Sequence, residues 1–295
     1  MHKTAKQRVL VLGGSGRVGR MLRHSWAQNG GGLDFTFQTR EHDAAHSTDL
    51  VWDVMDPPPS PVLNAAPFDC MIVLSGVVPG PDADFTRNSA IGAAAIAAAA
   101  RLGIPCVLLA STSAVYGAGG QTPFHEGDTP CPVNAYGHSK HLMEVQCRAQ
   151  ALALGISLCC LRIGNVAGAD ALLLNAQALA DGDALVLDVF AQGGTPVRSY
   201  IGADSLARVL CTLVHQNQNR DVPELLNIAA PHPVSMRALA ESAGVAFDLR
   251  PAPPTAHQLI TLDCTALATL HSFDPAESDP DEMVLQWRHC TGGLA

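Results

Sequence analysis

The sequence lacks a surplus of positive charge and any long apolar run, and each absence excludes a class of protein. Its 295 residues include 18 Lys and Arg against 27 Asp and Glu, a formal net charge of −9. This balance argues against a surface for nucleic acid or for anionic membranes. The alanine-rich residues 91–100 are too short to span a bilayer, and residues 1–8 lack the apolar centre of a signal peptide. We therefore expect a cytoplasmic protein with a small-molecule partner, no nucleic acid and no membrane.

The sequence also lacks paired cysteines. Its nine cysteines are an odd number scattered through apolar segments, as at Cys70, Cys106, Cys159 and Cys160, and none has the spacing of a metal site. This usage is typical of reduced thiols packed in the core of a cytoplasmic protein. A chain of this length buries a core without such cross-links. We predict neither a disulfide framework nor a bound metal.

Apolar strand-like runs alternate with helical stretches through the first two-thirds of the chain. This pattern predicts an α/β fold with a Rossmann-type doubly wound parallel sheet. The predicted strands are residues 9–12, 34–38, 50–52, 70–74, 106–110, 157–162 and 225–228. Beyond about residue 165 the alternation weakens and proline-rich patches appear. We predict a dinucleotide-binding domain at 1–164, to which 198–228 adds a late strand and helix, and a smaller C-terminal substrate-binding lobe within 165–295.

The first predicted strand runs directly into a glycine-rich turn at residues 13–19. Glycines at 13, 16 and 19 let the backbone turn sharply, bring its N–H groups to a pyrophosphate and seat the following helix, residues 18–28, against the strand. Such turns also follow buried strands for steric reasons alone, but this one lies in the first strand–helix–strand unit. The predicted phosphate-binding residues are Gly13, Ser15, Gly16, Arg17, Val18 and Gly19.

The end of the second strand indicates which dinucleotide is preferred. An acidic residue there would hydrogen-bond the adenosine ribose and disfavour a 2′-phosphate. Thr39 stands in that place and Arg40 follows it, so a guanidinium is available for phosphate, and Arg17 could add a second charge. NADP(H) is therefore favoured and NAD(H) remains possible; alternatively, both arginines are solvated surface charges. Asp53 is suited to hold the adenine amino group or to form a turn. The remaining predicted cofactor contacts follow the third and fourth strands: Val54, Ser75 and Gly76.

Residues 111–140 carry groups suited to acid–base chemistry. Tyr136 and Lys140 are four residues apart and so lie on one face of a helix. A phenol with a pKa of roughly 10 is a poor base at neutral pH. A nearby ammonium favours the phenolate, so Lys140 is expected to lower the pKa of Tyr136 for proton exchange with a substrate hydroxyl or carbonyl. The hydroxyls of residues 111–113 follow a predicted strand, at the edge where open α/β sheets bind ligands. The same Tyr–Lys spacing also occurs in ordinary surface pairs.

Together, three motifs resemble those of the extended short-chain dehydrogenase/reductase family, of the NAD(P)-dependent nucleotide-sugar epimerase and dehydratase type. They are the glycine turn, residues 111–117 (Ser-Thr-Ser-Ala-Val-Tyr-Gly) and the Tyr-x-x-x-Lys of residues 136–140. The resemblance implies that Thr112 orients the reacting oxygen and Tyr136 is the acid and base. It further implies that Lys140 tunes Tyr136 and holds the nicotinamide ribose. Asn88 matches the family's helix asparagine near the active site, although it also suits an ordinary first helical turn.

Later motifs resemble the part of the family that binds substrate. Residues 161–168 resemble Leu-Arg-x-x-Asn-Val-Tyr-Gly with Ala167 in place of tyrosine, and residues 198–204 resemble an Arg-Asp motif with Ser199 in place of aspartate. The resemblance implies that Ser113 and Asn165 contact substrate and that Arg198 meets a substrate phosphate. The two departures leave a smaller, non-nucleotide hydroxy or keto substrate as an alternative.

The resemblance implies an enzyme that transfers hydride reversibly at a secondary alcohol or ketone carbon, with a nucleotide sugar as the leading substrate. Dehydratases of the family carry an Asp-Glu pair after the active-site threonine, where Ser113 and Ala114 stand here, so dehydration is disfavoured. Epimerisation and reduction both stay open. A non-catalytic NADP-binding redox sensor is the alternative of another class, but it would not need Thr112, Tyr136 and Lys140 together. The resemblance also implies a homodimer through the predicted helices at 84–102 and 136–154.

Overall fold

The computed structural model describes residues 6–65, 67–180, 183–217 and 222–291. Its strands are β1 (Arg8–Leu12), β2 (Asp34–Thr39), β3 (Leu50–Val51), β4 (Cys70–Val73), β5 (Cys106–Thr112), β6 (Ser157–Ile163), β7 (Asn165–Val166), β8 (Leu185–Val189), β9 (Val197–Arg198), β10 (Tyr200–Ile201), β11 (Leu225–Ile228), β12 (Val234–Ser235), β13 (Phe247–Pro251) and β14 (Leu259–Ile260). Its α-helices are α1 (Arg17–Gln28), α2 (Ser60–Ala65), α3 (Arg87–Leu102), α4 (Ala135–Leu154), α5 (Ala171–Gln177), α6 (Ala203–Gln216), α7 (Met236–Ser242), α8 (Thr265–Ala268) and α9 (Pro280–Cys290).

Seven strands form one parallel sheet in the order β11-β6-β5-β4-β1-β2-β3. The chain order reverses between β1 and β4, where doubly wound sheets open a crevice at their carboxyl ends. All seven predicted strands lie in this sheet, so the predicted Rossmann-type fold is confirmed. Strand β5 runs two residues further than predicted because Ser111 and Thr112 pair with Arg162 and Ile163 of β6. Backbone pairing therefore extends the strand through polar residues.

The sheet is buried on both faces, as a parallel sheet with helices on each side requires. In β1, Val9 and Val11 pack on one side in a core that includes Leu22 of α1 and Leu210 of α6. The alternate residues Leu10 and Leu12 pack on the other side, in a core with Ile96 of α3 and Met143 of α4. Several cysteines are buried free thiols in these layers: Cys70, Cys106, Cys147, Cys159, Cys160 and Cys211.

Helix α3 begins at Arg87, so the prediction that it starts at residue 84 is wrong. Asp84 closes a turn instead, because its Oδ1 accepts hydrogen bonds from the backbone N–H (3.1 Å) and the hydroxyl (2.5 Å) of Thr86. The helix ends as predicted at Leu102, since Gly103 takes the left-handed conformation with φ +67°. Within the described ranges no helix is long and apolar enough to cross a membrane.

The C-terminal part of the chain carries short strands in three small sheets. β10 pairs with β7, β9 lies between β12 and β14, and β13 pairs with β8. Strand β11 joins the large sheet beside β6, and α6 packs in the same core layer as α1. The substrate-binding role of this lobe and the domain boundary at residue 164 stay predictions.

Candidate active site

The glycine turn has the close packing that a phosphate-binding cradle needs. A Cβ atom on Gly13, whose φ is +89°, would lie 2.8 Å from the backbone nitrogen of Ser75. A Cβ atom on Gly19 would lie 2.3 Å from the carbonyl oxygen of Gly13. These two positions therefore require glycine, and α1 begins directly against the turn. The N-cap of α1 is Gly16, with no side-chain capping bond, so the helix directs uncapped N–H groups towards the cleft.

A cavity of about 280 Å³ extends from this turn over the ends of β2, β3 and β4. It contains most of the predicted cofactor contacts: Gly13, Ser15, Gly16, Thr39, Arg40, Asp53, Val54, Ser75 and Gly76. Arg17 is exposed and does not line it, and Gly19 serves the packing of the turn. Six lining residues were not predicted: Gln38, Met55, Leu74, Val77, Arg87 and Ile91. Gln38 could have been predicted as a lining residue from its position at the end of a strand. Predicting Arg87 would have required the start of α3.

Thr39 and Asp53 both shape turns at this cavity. Thr39 is buried, and its hydroxyl donates to the carbonyl oxygen of Glu41 at 2.8 Å, which leaves the neighbouring Arg40 exposed at the cavity. Asp53 Oδ1 accepts from the backbone N–H of Met55 at 3.0 Å. The turn-forming interpretation of Asp53 is therefore observed, and the same residue also lines the cavity.

A second cavity of about 290 Å³ shares Leu74 and Gly76 with the first. It brings together the predicted Thr112, Tyr136, Lys140 and Asn165, and it also includes Val18 from the glycine turn. Its other lining residues are Val78, Pro79, Ala110, Ser111, Ile163, Gly164, Val166, Ala169 and Asp170. The two cavities thus form one cleft that leads from the glycine turn to the acid–base residues.

Helix α4 is placed so that Tyr136 and Lys140 face this second cavity. Its N-cap is Asn134, whose Oδ1 accepts from the backbone N–H of Gly137 at 2.8 Å. A Cβ atom on Gly137 would lie 2.4 Å from the carbonyl oxygen of Ala114. Glycine at 137 therefore lets the start of the helix approach the turn after β5. Thr112 is the last residue of β5.

The pKa of Tyr136 is raised, contrary to the expected effect of Lys140. Burial is the larger cause because it disfavours the charged phenolate, and the side-chain hydrogen bond with Thr112 opposes it. Lys140 is not among the causes of this shift, so its role in favouring the phenolate stays a prediction. Tyr136 is held as a neutral phenol beside a hydroxyl partner.

Lys140 is a buried cation, and burial shifts its pKa in the opposite direction. Only 4% of the residue is exposed, and Nζ donates to the carbonyl oxygen of Ala110 at 2.9 Å. Burial lowers its pKa to about 8, with the charge of Glu144 acting in the other direction. Near neutral pH Lys140 is thus protonated but close to titration.

The remaining predicted site residues occupy three different places. Asn88 is fully buried; it exchanges two hydrogen bonds with the backbone of Val77, at 2.7 and 3.1 Å, and donates to the hydroxyl of Ser139 at 3.0 Å. It therefore joins the loop after β4 to α4. Ser113 begins a 3-10 turn outside the lining of the second cavity. The Arg198 guanidinium donates to the carbonyl oxygens of Val197, His257 and Gln258 at 2.7 to 3.1 Å and does not line either cavity.

Among the described residues no cluster of three or more His, Cys, Asp or Glu side chains could hold a metal ion. The cleft instead presents a glycine cradle, an uncapped helix N-terminus and the side chains of Thr112, Tyr136 and Lys140. This donor set suits a nicotinamide dinucleotide. A doubly wound sheet with these residues at its carboxyl edge defines a protein of the extended short-chain dehydrogenase/reductase type.

Comparison with known proteins gives the family. The model of the NAD dependent epimerase/dehydratase family matches residues 9–229, and the chain belongs to this family of enzymes. A UDP-glucose 4-epimerase of Azospirillum brasilense is 30% identical over 181 residues, 56% of this chain and 51% of that protein. A UDP-glucose 4-epimerase of Rhizobium meliloti is 35% identical over 104 residues, 35% of this chain and 31% of that protein. The chain thus spans about half or less of the length of these curated relatives.

Solved structures of epimerases share the fold over nearly the whole chain. UDP-glucose 4-epimerase from Brucella ovis, in complex with NAD, has a TM-score of 0.78 at 21% identity and covers 94% of this chain and 96% of its own. UDP-glucose-4-epimerase from Stenotrophomonas maltophila, with bound NAD and formylated UDP-arabinopyranose, has a TM-score of 0.76 at 18% identity. The match covers 98% of this chain and 100% of that one. At these identities the likeness shows the fold.

Proposed function

We propose that the protein is an NAD(P)-dependent epimerase that acts by reversible hydride transfer at a secondary-alcohol carbon of a nucleotide sugar. The observation that carries the proposal is the single cleft in which Thr112, Tyr136 and Lys140 adjoin the glycine cradle through Leu74 and Gly76. The membership in the epimerase/dehydratase family and the UDP-glucose 4-epimerase relatives support it. A non-catalytic sensor would not need the three side chains to share one cavity.

A nicotinamide dinucleotide bound along the cleft would supply the hydride acceptor and donor. As the phenolate, Tyr136 takes the proton from the substrate hydroxyl during oxidation, and as the phenol it returns that proton during reduction. Thr112, which lines the same cavity as Tyr136, orients the reacting oxygen. Lys140 Nζ donates to the Ala110 carbonyl at 2.9 Å and to Met143 Sδ at 3.8 Å, so one N–H group is left for a ribose hydroxyl. Its charge favours the phenolate when Tyr136 loses its proton.

Asn88 and Asn165 complete the proposed site in different ways. Asn88 holds the loop after β4 against α4 through its hydrogen bonds with Val77 and Ser139. Asn165 lines the catalytic cavity and is proposed to contact substrate. Ser113 and Arg198 stay predicted substrate contacts, and each would have to turn or exchange partners to reach a ligand.

We propose that the cofactor is NADP(H) rather than NAD(H). Arg40 lines the cavity beside Thr39, and no acidic side chain ends β2 to repel a 2′-phosphate. The structural relatives described above hold NAD, so NAD(H) is the competing cofactor. The protein is further proposed to be a cytoplasmic homodimer; its buried free thiols, such as Cys70 and Cys106, support a reducing location.

The experiment that tests the function is a substrate assay with two readouts. The purified protein is incubated with UDP-glucose, UDP-galactose and their N-acetylated and uronic acid counterparts, and the sugars are separated to detect interconversion. In parallel, NADPH absorbance is followed with each 4-keto sugar. An epimerase interconverts sugars without net consumption of NADPH. A reductase consumes NADPH and forms one product, which would transfer the proposal to the reductase alternative.

The matched control is Tyr136→Phe, which should bind dinucleotide and form no product. Smaller hydroxy and keto acids in the same assay test the non-nucleotide alternative. Absence of turnover on every substrate, with dinucleotide bound by the wild-type protein, would overturn the enzymatic proposal and favour the sensor.

A further inference from the structure

Helix α4 is fixed to the end of β5 by two buried charged side chains one helical turn apart. Lys140 Nζ donates to the carbonyl oxygen of Ala110 at 2.9 Å. Glu144 Oε1 accepts from the hydroxyl of Ser111 at 2.5 Å. These contacts hold two consecutive residues of β5, and the next residue is Thr112. Because Tyr136, Lys140 and Glu144 are spaced four residues apart, they form one row on α4 that faces the end of this strand.

Glu144 is also half of a buried ion pair. It is fully buried, and its carboxylate accepts from Arg162 Nε at 3.1 Å and from Arg162 Nη2 at 2.8 Å. Arg162 lies on β6 directly opposite Ser111, and its guanidinium stacks over the Tyr116 ring at 4.6 Å. A bidentate pair of this kind fixes geometry as well as charge. The carboxylate thus ties α4, β5 and β6 together beside the reacting groups.

We propose that Glu144 is a positioning residue of the proton-transfer apparatus: it sets the register of α4 against β5 and keeps Lys140 in its charged form. This inference rests on the proposed function, in which Lys140 acts as a cation. A merely structural carboxylate would stabilise the fold without affecting the charge on Lys140.

The surroundings of Lys140 leave Glu144 as its effective counter-charge. The titratable groups near it are Tyr136, Glu144 and Cys147 on α4 and Cys160 and Arg162 on β6. Burial raises the pKa of Cys147 to about 11 and that of Cys160 further, and burial also raises the pKa of Tyr136. All three are neutral below about pH 9. Glu144 is therefore the anion that opposes the effect of burial on the pKa of Lys140.

The chain offers a direct way to observe Lys140, since it contains only the lysines Lys3, Lys6 and Lys140. Protein labelled with [ε-¹³C]lysine gives three side-chain NMR signals, and Lys140→Met identifies the one from Lys140. In wild-type protein this signal should titrate near pH 8. In Glu144→Gln it should titrate about one pH unit lower, because an opposite charge has been removed. Glu144→Asp, which keeps the charge, should titrate close to wild type although it is also less stable.

Activity gives the second readout. The alkaline limb of the pH profile for sugar interconversion should move down by about one unit in Glu144→Gln, which lowers turnover about fivefold at pH 8. If Glu144→Gln does not fold, Glu144→Met combined with Arg162→Met removes both charges at similar volume and serves instead. Its Lys140 signal should also move to lower pH, but by less than in Glu144→Gln, because the positive charge of Arg162 is removed as well. An unchanged Lys140 titration in the Gln or the double variant would overturn the proposal. If the Lys140 titration shifts in the variant but the wild-type protein converts no sugar, the positioning role of Glu144 is supported and the proposed function is contradicted.

Discussion

At the scale of single residues, the site places a neutral phenol, a hydroxyl and a buried ammonium in one cavity. Tyr136 is the group whose removal separates binding from chemistry. We expect Tyr136→Phe to leave dinucleotide affinity nearly unchanged, because the ring still packs near Phe85, whose centroid lies 5.7 Å away. Turnover should fall by a factor on the order of 10² to 10⁴, since the proton-transfer group is lost. Titration calorimetry and initial rates measure the two effects, and wild-type turnover in the Phe variant would contradict the assignment.

The proposed preference for NADP(H) depends on Arg40. Arg40→Ala should weaken NADPH binding about ten- to a hundredfold and leave NADH binding almost unchanged, because a charge-assisted bond to phosphate contributes roughly 1.5–3 kcal/mol. Arg17, exposed outside the cavity, should have a smaller effect when changed to Ala. Fluorescence titration of both nucleotides measures the ratio.

Two controls make the cofactor experiment decisive. Arg101→Ala removes an exposed arginine in the last turn of α3 and should change neither affinity. The preference for NADPH should also shrink as salt is raised, because an exposed ion pair is screened. Equal affinities of the wild-type protein for NADH and NADPH, unaltered in Arg40→Ala, would instead favour NAD held through its pyrophosphate and adenine.

At the scale of elements, α4 carries an apolar row on its outer face. Leu142, Val145 and Leu152 are 50%, 46% and 82% exposed, and with Ala149 they recur at alternating three- and four-residue steps, the spacing of helices that pack against helices. The neighbouring α3 offers exposed alanines that permit close approach, including Ala90, Ala97 and Ala100. The row supports the proposed homodimer through α3 and α4.

Leu152→Glu should convert the proposed dimer to a monomer, because it puts a charge into a desolvated interface. Sedimentation velocity at micromolar concentration measures the change. Leu249→Glu serves as the matched control: Leu249 is 47% exposed on β13, away from α4, and its replacement should leave the dimer intact. A wild-type protein that sediments as a monomer would refute the dimer itself.

The elements also show how much the sequence could reveal. The central strands β1, β4, β5 and β6 were predictable because a strand buried on both faces is largely a continuous apolar run. Strands β7, β9, β10, β12 and β14 have two residues each, too few to show any periodicity. Arg198 illustrates a second limit: its motif predicted a phosphate contact, but its partners His257 and Gln258 lie about sixty residues away in sequence. Only the folded chain shows that pairing.

The chemistry of the site was partly predictable for a related reason. Spacing along α4 was enough to bring Tyr136 and Lys140 to one face. The pKa of each depends on burial, which is set by every element around the cavity, so the sequence did not show the effect of burial on Tyr136. Arg162 and Glu144 were likewise invisible as a pair, because one lies on β6 and the other on α4.

At the scale of the whole molecule, the buried Lys140 ties global stability to pH. Its pKa is about 8 in the folded protein against an ordinary value of 10.5, so between these values the unfolded chain binds more protons than the folded one. The free energy of unfolding contributed by this group therefore rises with pH across that window, by on the order of 3 kcal/mol in total. At pH 7 both states carry the proton, and the folded protein bears the full cost of burying the charge.

Lys140→Met should abolish this contribution, because methionine fills the space without a charge. The variant is expected to gain stability relative to wild type at pH 7 and to lose that advantage progressively as the pH rises from 8 to 10.5. Urea unfolding of both proteins at half-unit steps of pH measures the difference in free energy. Taking the difference cancels the tyrosines and cysteines common to both proteins apart from Cys147, whose pKa the charge of Lys140 lowers. Parallel curves for wild type and variant would mean that Lys140 is not held as a buried cation, and the account of its role beside Tyr136 would then fail with it.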